Sequence, residues 1–235
     1  MEKITKIPLL SSIPNLEHGI TNLHQPDFVH KEIEFRCCRV KQVHGSKLVW
    51  LDSLEQGIQE ADAIATKTAN LRIGVFTADC APLLCAAIDG RSGMPQAVLS
   101  IHAGWRGAAA GIQTSCFREF VQQTNTDSKE YYWGIGPTIS YKAFEVGQEV
   151  VDAFPGIESR GFARFTHTEG DKRKYLLNLP AEIECQLQQE AKNLGVQIHV
   201  ENIDHCTYLR SDTYPSYRRQ KGTNGRILSF ISFTN

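Results

Sequence analysis

The chain has 235 residues, of which 41% are hydrophobic and 22% charged, and its formal net charge at pH 7 is −1. This composition is typical of a globular protein with one sizeable core, and it argues against a basic nucleic-acid-binding surface or a bilayer-spanning segment of roughly 20 apolar residues. Seven irregularly spaced cysteines without a CxxC pair or a secretory signal indicate reduced thiols and a cytoplasmic protein.

We expect a single domain over residues 1–235, beginning with a loop-rich segment of about 30 residues that contains three prolines. Alternating apolar residues predict a strand within Lys31–Val43, and Lys47–Asp52 is a candidate for the returning strand of a hairpin. Leu71–Phe76 is the next strand candidate. Pro82–Ile88 is a continuous apolar run, which fits a strand buried on both faces or a buried helix.

The second half of the chain contains clearer periodic segments, and no internal repeat or linker interrupts them. The pattern predicts helices at Ile112–Gln123, Phe144–Phe154 and Pro180–Leu194, the last ending at Gly195, strands at Ala97–Ile101, Tyr131–Ile135, Val196–Val200 and Ile227–Phe233, and a loop at Phe162–Asp171.

Three metal-binding side chains occur where apolar runs end or begin. Cys80 follows Asp79, His102 precedes a small glycine-rich segment, and His44 lies upstream in the motif QVHG. Two imidazoles and a thiolate suit zinc well and copper also. Three protein ligands leave a fourth position open, which is typical of catalytic zinc sites, where the metal lowers the pKa of a bound water.

The same residues allow other interpretations. Cys80 and His102 could form the nucleophile and base of a thiol hydrolase or deamidase, with Asp79 orienting the imidazole. A copper redox site is a third reading, although only Met1 and Met94 could supply a weak axial ligand. Plain packing of Cys80 and His102 in a core is the fourth reading.

Arginines near these residues suggest an anion-binding site. Arg106 follows the His102 turn, and Arg218 and Arg219 form the motif SYRR with Tyr217. Guanidinium groups bind phosphate with two parallel hydrogen bonds, while surface or packed ion pairs are the alternative. Aromatic side chains in these motifs could stack on a flat base or pack in the core: Trp105, Phe144 and Tyr217.

Eight motifs in a fixed order together resemble the YfiH-like, laccase-domain family. They are QVHG (Gln42–Gly45), ADAIAT (Ala61–Thr66), FTADCAPLL (Phe76–Leu84), HAGWRGAAAG (His102–Gly111), GIGPTIS (Gly134–Ser140), FEVGQEV (Phe144–Val150), CT (Cys206–Thr207) and SYRR…GTNGR (Ser216–Arg226). The resemblance runs from about Lys41 to Phe233. It implies an α+β fold, a layered sandwich with mixed β-sheets inside and helices outside.

The resemblance also implies an activity and a site. The family's members were long described as multicopper polyphenol oxidases and are now treated as purine nucleoside phosphorylases. The implied cofactor is Zn²⁺ on His44, Cys80 and His102, with Cu²⁺ as the alternative that the older description implies. The implied substrates are phosphate and the purine nucleosides adenosine, inosine and S-methyl-5′-thioadenosine, with adenosine deamination as a second activity.

From these parts we predict roles for the remaining site residues. Asp79 is the candidate acid/base group beside Cys80, and Arg106, or Arg218 with Arg219, would hold the phosphate. Tyr217 completes the predicted substrate-binding set. The sequence departs from the family pattern in a shorter N-terminal region and in Asn178, which stands where an Asp is usual. The sequence does not decide between a monomer and a homo-oligomer.

Overall fold

The computed structural model describes residues 4–23, 36–54, 57–124, 130–222 and 225–235. Its helices are α1 (Pro8–Ser11), α2 (Trp105–Ala109), α3 (Ile112–Thr124), α4 (Gln148–Asp152), α5 (Leu179–Leu194) and α6 (Tyr217–Gln220). Its strands are β1 (Leu16–Ile20), β2 (Leu48–Trp50), β3 (Ala63–Thr66), β4 (Ile73–Thr77), β5 (Ala81–Ile88), β6 (Pro95–Ala103), β7 (Glu130–Ile135), β8 (Glu145–Gly147), β9 (Ala163–Glu169), β10 (Lys172–Leu177), β11 (Gln197–Asn202) and β12 (Ile227–Phe233).

Among the described residues, a six-stranded mixed sheet forms the centre, in the order β11-β7-β5-β6-β3-β2. Its inner pairs are antiparallel, and its two outer pairs, β11 with β7 and β2 with β3, are parallel. Every residue of β5 is buried. Leu83 and Cys85 face one hydrophobic cluster, and Leu84 and Ala86 face another. Burial on both faces explains the continuous apolar run, because such strands have no solvent-facing side to make polar.

Different layers cover the two faces of this sheet. Helices α3 and α5 contribute Phe117, Phe120 and Ile183 to one cluster. An antiparallel sheet in the order β1-β12-β4 contributes Ile73 and Ile231 to the other. The protein is therefore an α+β layered sandwich with mixed sheets inside and helices outside, as predicted. None of the helices in the described ranges is long and apolar enough to cross a membrane.

The two long amphipathic helices are the best-predicted elements. Helix α3 begins at the predicted residue, and α5 differs from its prediction by one residue. Asn178 is the N-cap of α5, where its side chain accepts a hydrogen bond from the Ala181 amide, so it performs the capping that an Asp would. Gly195 ends the helix in the left-handed conformation, with φ of 63°.

Two predicted elements are wrong in the region before β4. Lys47–Asp52 is not the returning strand of a hairpin, because β2 pairs in parallel with β3. Strand β3 was not predicted, because the small residues of the ADAIAT motif show no clear periodicity. The loop-rich start contains α1 and β1 within residues 4–23. Of the predicted strand at Lys31–Val43, residues 31–35 lie outside the described residues, and the remainder makes only isolated bridges.

Two further predictions are wrong near the middle of the chain. The predicted helix Phe144–Phe154 divides into β8 and the shorter α4, because Glu145–Gly147 pairs with β10. The predicted loop Phe162–Asp171 is mostly β9, which pairs with β10. Most β9 side chains are exposed, so the strand lacks the apolar alternation by which strands are recognised in a sequence.

Candidate metal centre and adjoining cleft

Three separate chain segments bring His44, Cys80 and His102 together. Cys80 lies in the turn between β4 and β5, and His102 is the penultimate residue of β6, which pairs with the beginning of β5. His44 comes from the loop before β2. The ligand-capable atoms of the three residues all lie within 4.8 Å of one another. The structure therefore gathers the three predicted metal-binding residues into one cluster, the metal-ligand group.

The side chain of Gln42 docks the His44 loop against β4. Its Nε2 donates to the carbonyl of Phe76 at 2.7 Å, and the amide of Phe76 donates to its Oε1 at 2.8 Å. Gln42 thus replaces the pairing that a neighbouring strand would give to the end of β4. Because β4 leads directly into the Cys80 turn, this contact sets His44 beside Cys80.

Asp62, a fully buried residue that we did not predict as part of the site, organises the two histidines. Its Oδ1 lies 2.7 Å from His102 Nδ1, and its carboxylate accepts the backbone amides of Val43, His44 and Gly45 at 2.7–3.1 Å. These amide bonds hold His44 at a φ of 60°. A carboxylate on Nδ1 fixes the ring orientation and leaves Nε2 for the cluster, an arrangement common behind metal-binding histidines.

The electrostatics of the cluster favour a thiolate. Burial raises the pKa of the Cys80 thiol, but hydrogen bonds with His102 and His44 outweigh burial and bring that pKa to about 7. Burial lowers the pKa of His102, whereas its hydrogen bonds to Asp62 and Cys80 raise the pKa to about 9. The thiolate is the form of cysteine that binds metals, and its negative charge attracts a cation.

Gly104 clears the space beside the three side chains. A Cβ at this position would lie 3.0 Å from Cys80 Sγ and 3.3 Å from the His44 ring. The φ of Gly104 is −74°, which any residue can adopt, so the reason for glycine here is space and not backbone conformation. Two imidazole nitrogens, one sulfur and this clearance fit a zinc or copper ion.

We expect Gly104→Ala to weaken metal binding without unfolding the protein. The added methyl must displace Cys80 or His44, and overpacking of this kind costs about 1–3 kcal/mol, or roughly 5- to 150-fold in the metal dissociation constant. Competition with a chromophoric chelator measures that constant. Gly45→Ala is the matched control, because its Cβ would make only ordinary contacts of 3.5–3.6 Å. Equal metal affinity in both variants would contradict the steric argument.

A cleft of about 670 Å³ opens from the cluster, a size suited to small-molecule ligands. His44, Cys80 and His102 all line it. Of the predicted substrate-binding residues, three line it as well: Arg106, Tyr217 and Arg218. The structure therefore places the metal-ligand group and two of the predicted arginines on the walls of one cavity.

Aromatic rings hold both predicted arginines, Arg106 and Arg218. The guanidinium carbon of Arg106 lies 4.3 Å from the centroid of Trp105, and that of Arg218 lies 5.5 Å from the centroid of Phe144. Arg218 also donates through Nη1 to the carbonyl of Glu145 at 2.8 Å. Cation–π contacts of this kind hold a guanidinium in place while leaving much of its edge available for further hydrogen bonds.

Arg219 does not line the cleft, contrary to its predicted role in substrate binding. Its guanidinium donates to the backbone carbonyls of Thr207, Tyr208 and Tyr214, each at 2.7 Å. It therefore fastens the loop before α6. Arg226, from the GTNGR motif, lines the cleft instead. The place of Arg226 in that motif could have identified it, but we predicted the adjacent pair Arg218 and Arg219 instead.

Asp79 lines the cleft beside Cys80, and its carboxylate already accepts three hydrogen bonds. Thr207 Oγ1 donates to Oδ1 at 2.6 Å, and Ser216 Oγ and the Arg218 amide donate to Oδ2 at 3.0 and 2.6 Å. The catalytic role predicted for Asp79 requires a carboxylate that exchanges protons with substrate. The observed contacts are instead those of an acceptor within a network.

Comparison with known proteins places these features in a family. A family model described as multi-copper polyphenol oxidoreductase laccase matches residues 25–234. The Shigella flexneri protein named purine nucleoside phosphorylase YfiH is 37% identical over 195 residues, which are 82% of this chain and 72% of that protein. A protein named adenosine deaminase RL5, from an unknown prokaryotic organism, is 28% identical over 188 residues, 77% of this chain and 65% of that protein.

A solved structure agrees with the same relationship. The crystal structure of Neisseria meningitidis protein NMB0706 superposes with a TM-score of 0.77 at 28% identity and covers 100% of both chains. The matching family model spans most of the chain. The chain therefore belongs to the YfiH-like family whose model is described as multi-copper polyphenol oxidoreductase laccase.

Proposed function

We propose that this chain is a zinc-dependent purine nucleoside phosphorylase that acts on adenosine, inosine and S-methyl-5′-thioadenosine and also deaminates adenosine. The observation that carries the proposal is that the His44, Cys80 and His102 group shares one cleft with Arg106 and Arg218. The relatives named purine nucleoside phosphorylase and adenosine deaminase support the same reaction types. The seven free cysteines support a cytoplasmic location.

His44, Cys80 and His102 would hold the zinc ion. When bound, zinc would supply a positive charge and Lewis acidity at the end of the cleft. Asp62 would keep the His102 ring in the orientation that directs Nε2 toward the ion, and its bonds to the loop amides would do the same for His44. Gly104 would keep the neighbouring space open for water or substrate.

Arg106 and Arg218 would bind phosphate. In phosphorolysis, a phosphate oxygen attacks C1′ of the ribose while the bond to the purine nitrogen breaks, so the phosphate must be held against the sugar as positive charge develops there. Guanidinium groups held by aromatic rings present fixed donors to such an oxyanion. Among the described residues that line the cleft, Asp79 is the one carboxylate, and its three hydrogen-bond donors limit its repulsion of the anion.

The apolar and aromatic wall of the cleft would bind the purine. Tyr217 is 57% exposed and lines the cleft, so its ring is available for stacking on a base. Other aromatic side chains on the wall are Phe76, Trp105 and Phe144. Stacking would orient the nucleoside so that its sugar faces the arginines, which shortens the path of the attacking phosphate.

Chromatography of nucleoside incubations tests the proposed function directly. Purified, zinc-loaded protein is incubated with adenosine, inosine or S-methyl-5′-thioadenosine, each with and without phosphate. We expect phosphate-dependent release of adenine or hypoxanthine together with ribose 1-phosphate or its methylthio derivative, and phosphate-independent conversion of adenosine to inosine. Intact nucleosides in every incubation would contradict the proposal.

A Cys–His hydrolase is a second candidate because the structure contains a matching arrangement. His102 contacts Cys80 on one side and the buried carboxylate of Asp62 on the other, which is the order of a nucleophile, a base and an orienting acid. Elemental analysis separates the candidates. About one zinc per chain favours the phosphorylase, whereas metal-free protein with a rapidly alkylated Cys80 favours the hydrolase.

Copper-dependent polyphenol oxidation is the third candidate, and the family description favours it. The same nitrogen and sulfur donors accept copper. Of the two methionines that could supply a weak axial ligand, Met1 lies outside the described residues, and Met94 is not among the residues that line the cleft. Visible absorption of copper-loaded protein, together with oxygen uptake in the presence of a phenol, tests this activity.

A further inference from the structure

Asp79 connects the metal-ligand segment to three other parts of the chain. It directly precedes Cys80, and its backbone carbonyl accepts hydrogen bonds from the Ile139 amide at 3.0 Å and from Thr138 Oγ1 at 2.7 Å. Its carboxylate accepts Thr207 Oγ1 at 2.6 Å. The turn that carries Cys80 is thereby fixed to the GPTIS loop and to the Cys206–Thr207 segment.

The same carboxylate also holds α6, which carries Arg218. Its Oδ2 accepts the Arg218 amide at 2.6 Å and Ser216 Oγ at 3.0 Å, and Ser216 in turn caps the helix by accepting the Arg219 amide at 3.2 Å. One side chain therefore bonds directly to the backbone of the arginine that lines the cleft, while its own backbone leads into the metal ligand.

The conformation of Asp79 is consistent with a fixed connector. Its φ is 87°, in the left-handed region that residues other than glycine seldom occupy. Two of its donors, Thr207 and Ser216, are completely buried. A residue held in a costly conformation by three side-chain and two backbone acceptor bonds cannot shift without disturbing all four segments.

We propose that Asp79 is a positioning residue that fixes Arg218 relative to the metal ligand Cys80 and thereby sets the affinity of the cleft for a tetrahedral oxyanion. The proposal rests on the proposed function in naming phosphate as that anion. It replaces the acid/base role predicted for Asp79, because the carboxylate acts here as a hydrogen-bond acceptor throughout.

The positioning role and simple charge repulsion predict opposite changes in phosphate affinity when the charge of Asp79 is removed. A carboxylate that merely lay near the anion would repel it, so removing the charge would tighten phosphate binding. Removing a carboxylate that positions Arg218 weakens phosphate binding instead. Asn is the suitable replacement, because it has the same shape, tolerates a positive φ and offers one acceptor in place of a charge that strengthens three hydrogen bonds.

The test is a double-mutant cycle on phosphate binding to zinc-loaded protein, measured by calorimetry and accompanied by steady-state kinetics. We expect Asp79→Asn to raise the dissociation constant and KM of phosphate about tenfold, as loss of charge-assisted bonds implies, with kcat and zinc content near the wild-type values. Arg218→Ala should weaken phosphate binding as well. Because Asp79 acts through Arg218, adding Asp79→Asn to Arg218→Ala should change little further.

Each other outcome overturns the proposal. A fall in kcat of about 100-fold or more at unchanged phosphate affinity would identify Asp79 as an acid/base group. Tighter or unchanged phosphate binding, loss of zinc, or additive effects in the double variant would show that Asp79 does not act through Arg218. Ser216→Ala removes one donor to the Asp79 carboxylate, so it should also weaken phosphate binding, but by less than Asp79→Asn does. An unchanged phosphate affinity in Ser216→Ala would also contradict the proposal.

The calorimetric measurement separates this inference from the proposed function. If the wild-type protein binds phosphate and the cycle behaves as described, the positioning role stands even where no nucleoside is cleaved. If the wild-type protein does not bind inorganic phosphate at all, the positioning role fails together with the phosphate site.

Discussion

Replacing Cys80 with alanine is expected to abolish metal binding and, with it, both phosphorolysis and deamination. Cys80 supplies the only sulfur and the only negative charge among the three ligands, so its loss leaves two imidazoles with little hold on a divalent ion. We expect both activities to fall on the order of 1000-fold or more, since both would depend on the charge of the same ion. Elemental analysis and nucleoside chromatography of the purified variant measure the two effects.

Cys185→Ala is the control for that result. Cys185 is a partly buried thiol on α5 and does not line the cleft, so this variant should keep wild-type metal content and activity. Full phosphate-dependent purine release by Cys80→Ala protein would contradict the zinc mechanism. Loss of one activity with retention of the other would show that the two reactions do not share this site.

The second large effect is expected from Asp62→Asn. The carboxylate accepts bonds from His102 and from three successive loop amides, and an amide group in its place would point N–H donors at other donors. We expect metal affinity to fall about 10- to 100-fold, as when the hydrogen-bond partner of a metal-binding histidine is lost. Unpaired buried amides should also lower the free energy of unfolding by about 1–3 kcal/mol.

Metal titration and urea denaturation of the Asp62→Asn variant measure these two quantities. Asp89→Asn is its matched control. Asp89 also accepts two backbone amides in a turn, at 2.9 and 2.7 Å, but it lies outside the cleft. We expect the control to bind metal as the wild type does. If Asp62→Asn kept the metal affinity of the wild type, the buried carboxylate would stabilise the His44 loop without contributing to metal binding, which would contradict this prediction.

Two carboxylates thus organise the two halves of the site. Asp62 holds the His44 loop and His102 in the candidate metal centre, and Asp79 ties the Cys80 turn to Arg218 in the adjoining cleft. Both act through hydrogen bonds to backbone amides. In the proposed function, the distance between the zinc ion and the phosphate would therefore be set by loops fastened to the ends of β4, β5 and β6.

The sequence indicated a metal site as one of several interpretations because the chemistry of its candidate ligands is local, and the resemblance to the YfiH-like family implied the full set of three ligands. Cys80 and His102 each stand where a buried apolar run meets small or polar residues, which is unusual for packed side chains. The long helices α3 and α5 were predictable for a similar reason, since one apolar face repeats along each of them. The burial of strand β5 was predictable from its continuous apolar run, but the strands with which it pairs were not.

What could not be predicted depends on contacts between distant segments. Asp62 lies in a run of small residues with no local sign that it would accept bonds from residues 43–45 and His102. Arg218 and Arg219 are adjacent and identical in chemistry, yet one lines the cleft and the other binds three carbonyls. Strand β9 is exposed on both faces, so hydrophobic patterning did not indicate it.

X-ray absorption at the zinc edge tests most directly whether the two imidazoles and the thiolate share one ion. For zinc-loaded protein we expect one sulfur neighbour at about 2.3 Å together with nitrogen or oxygen neighbours at about 2.0–2.1 Å. The sulfur shell should disappear when Cys80 is replaced by serine. A spectrum that contains only nitrogen and oxygen neighbours, or one whose sulfur shell survives that replacement, would contradict the account.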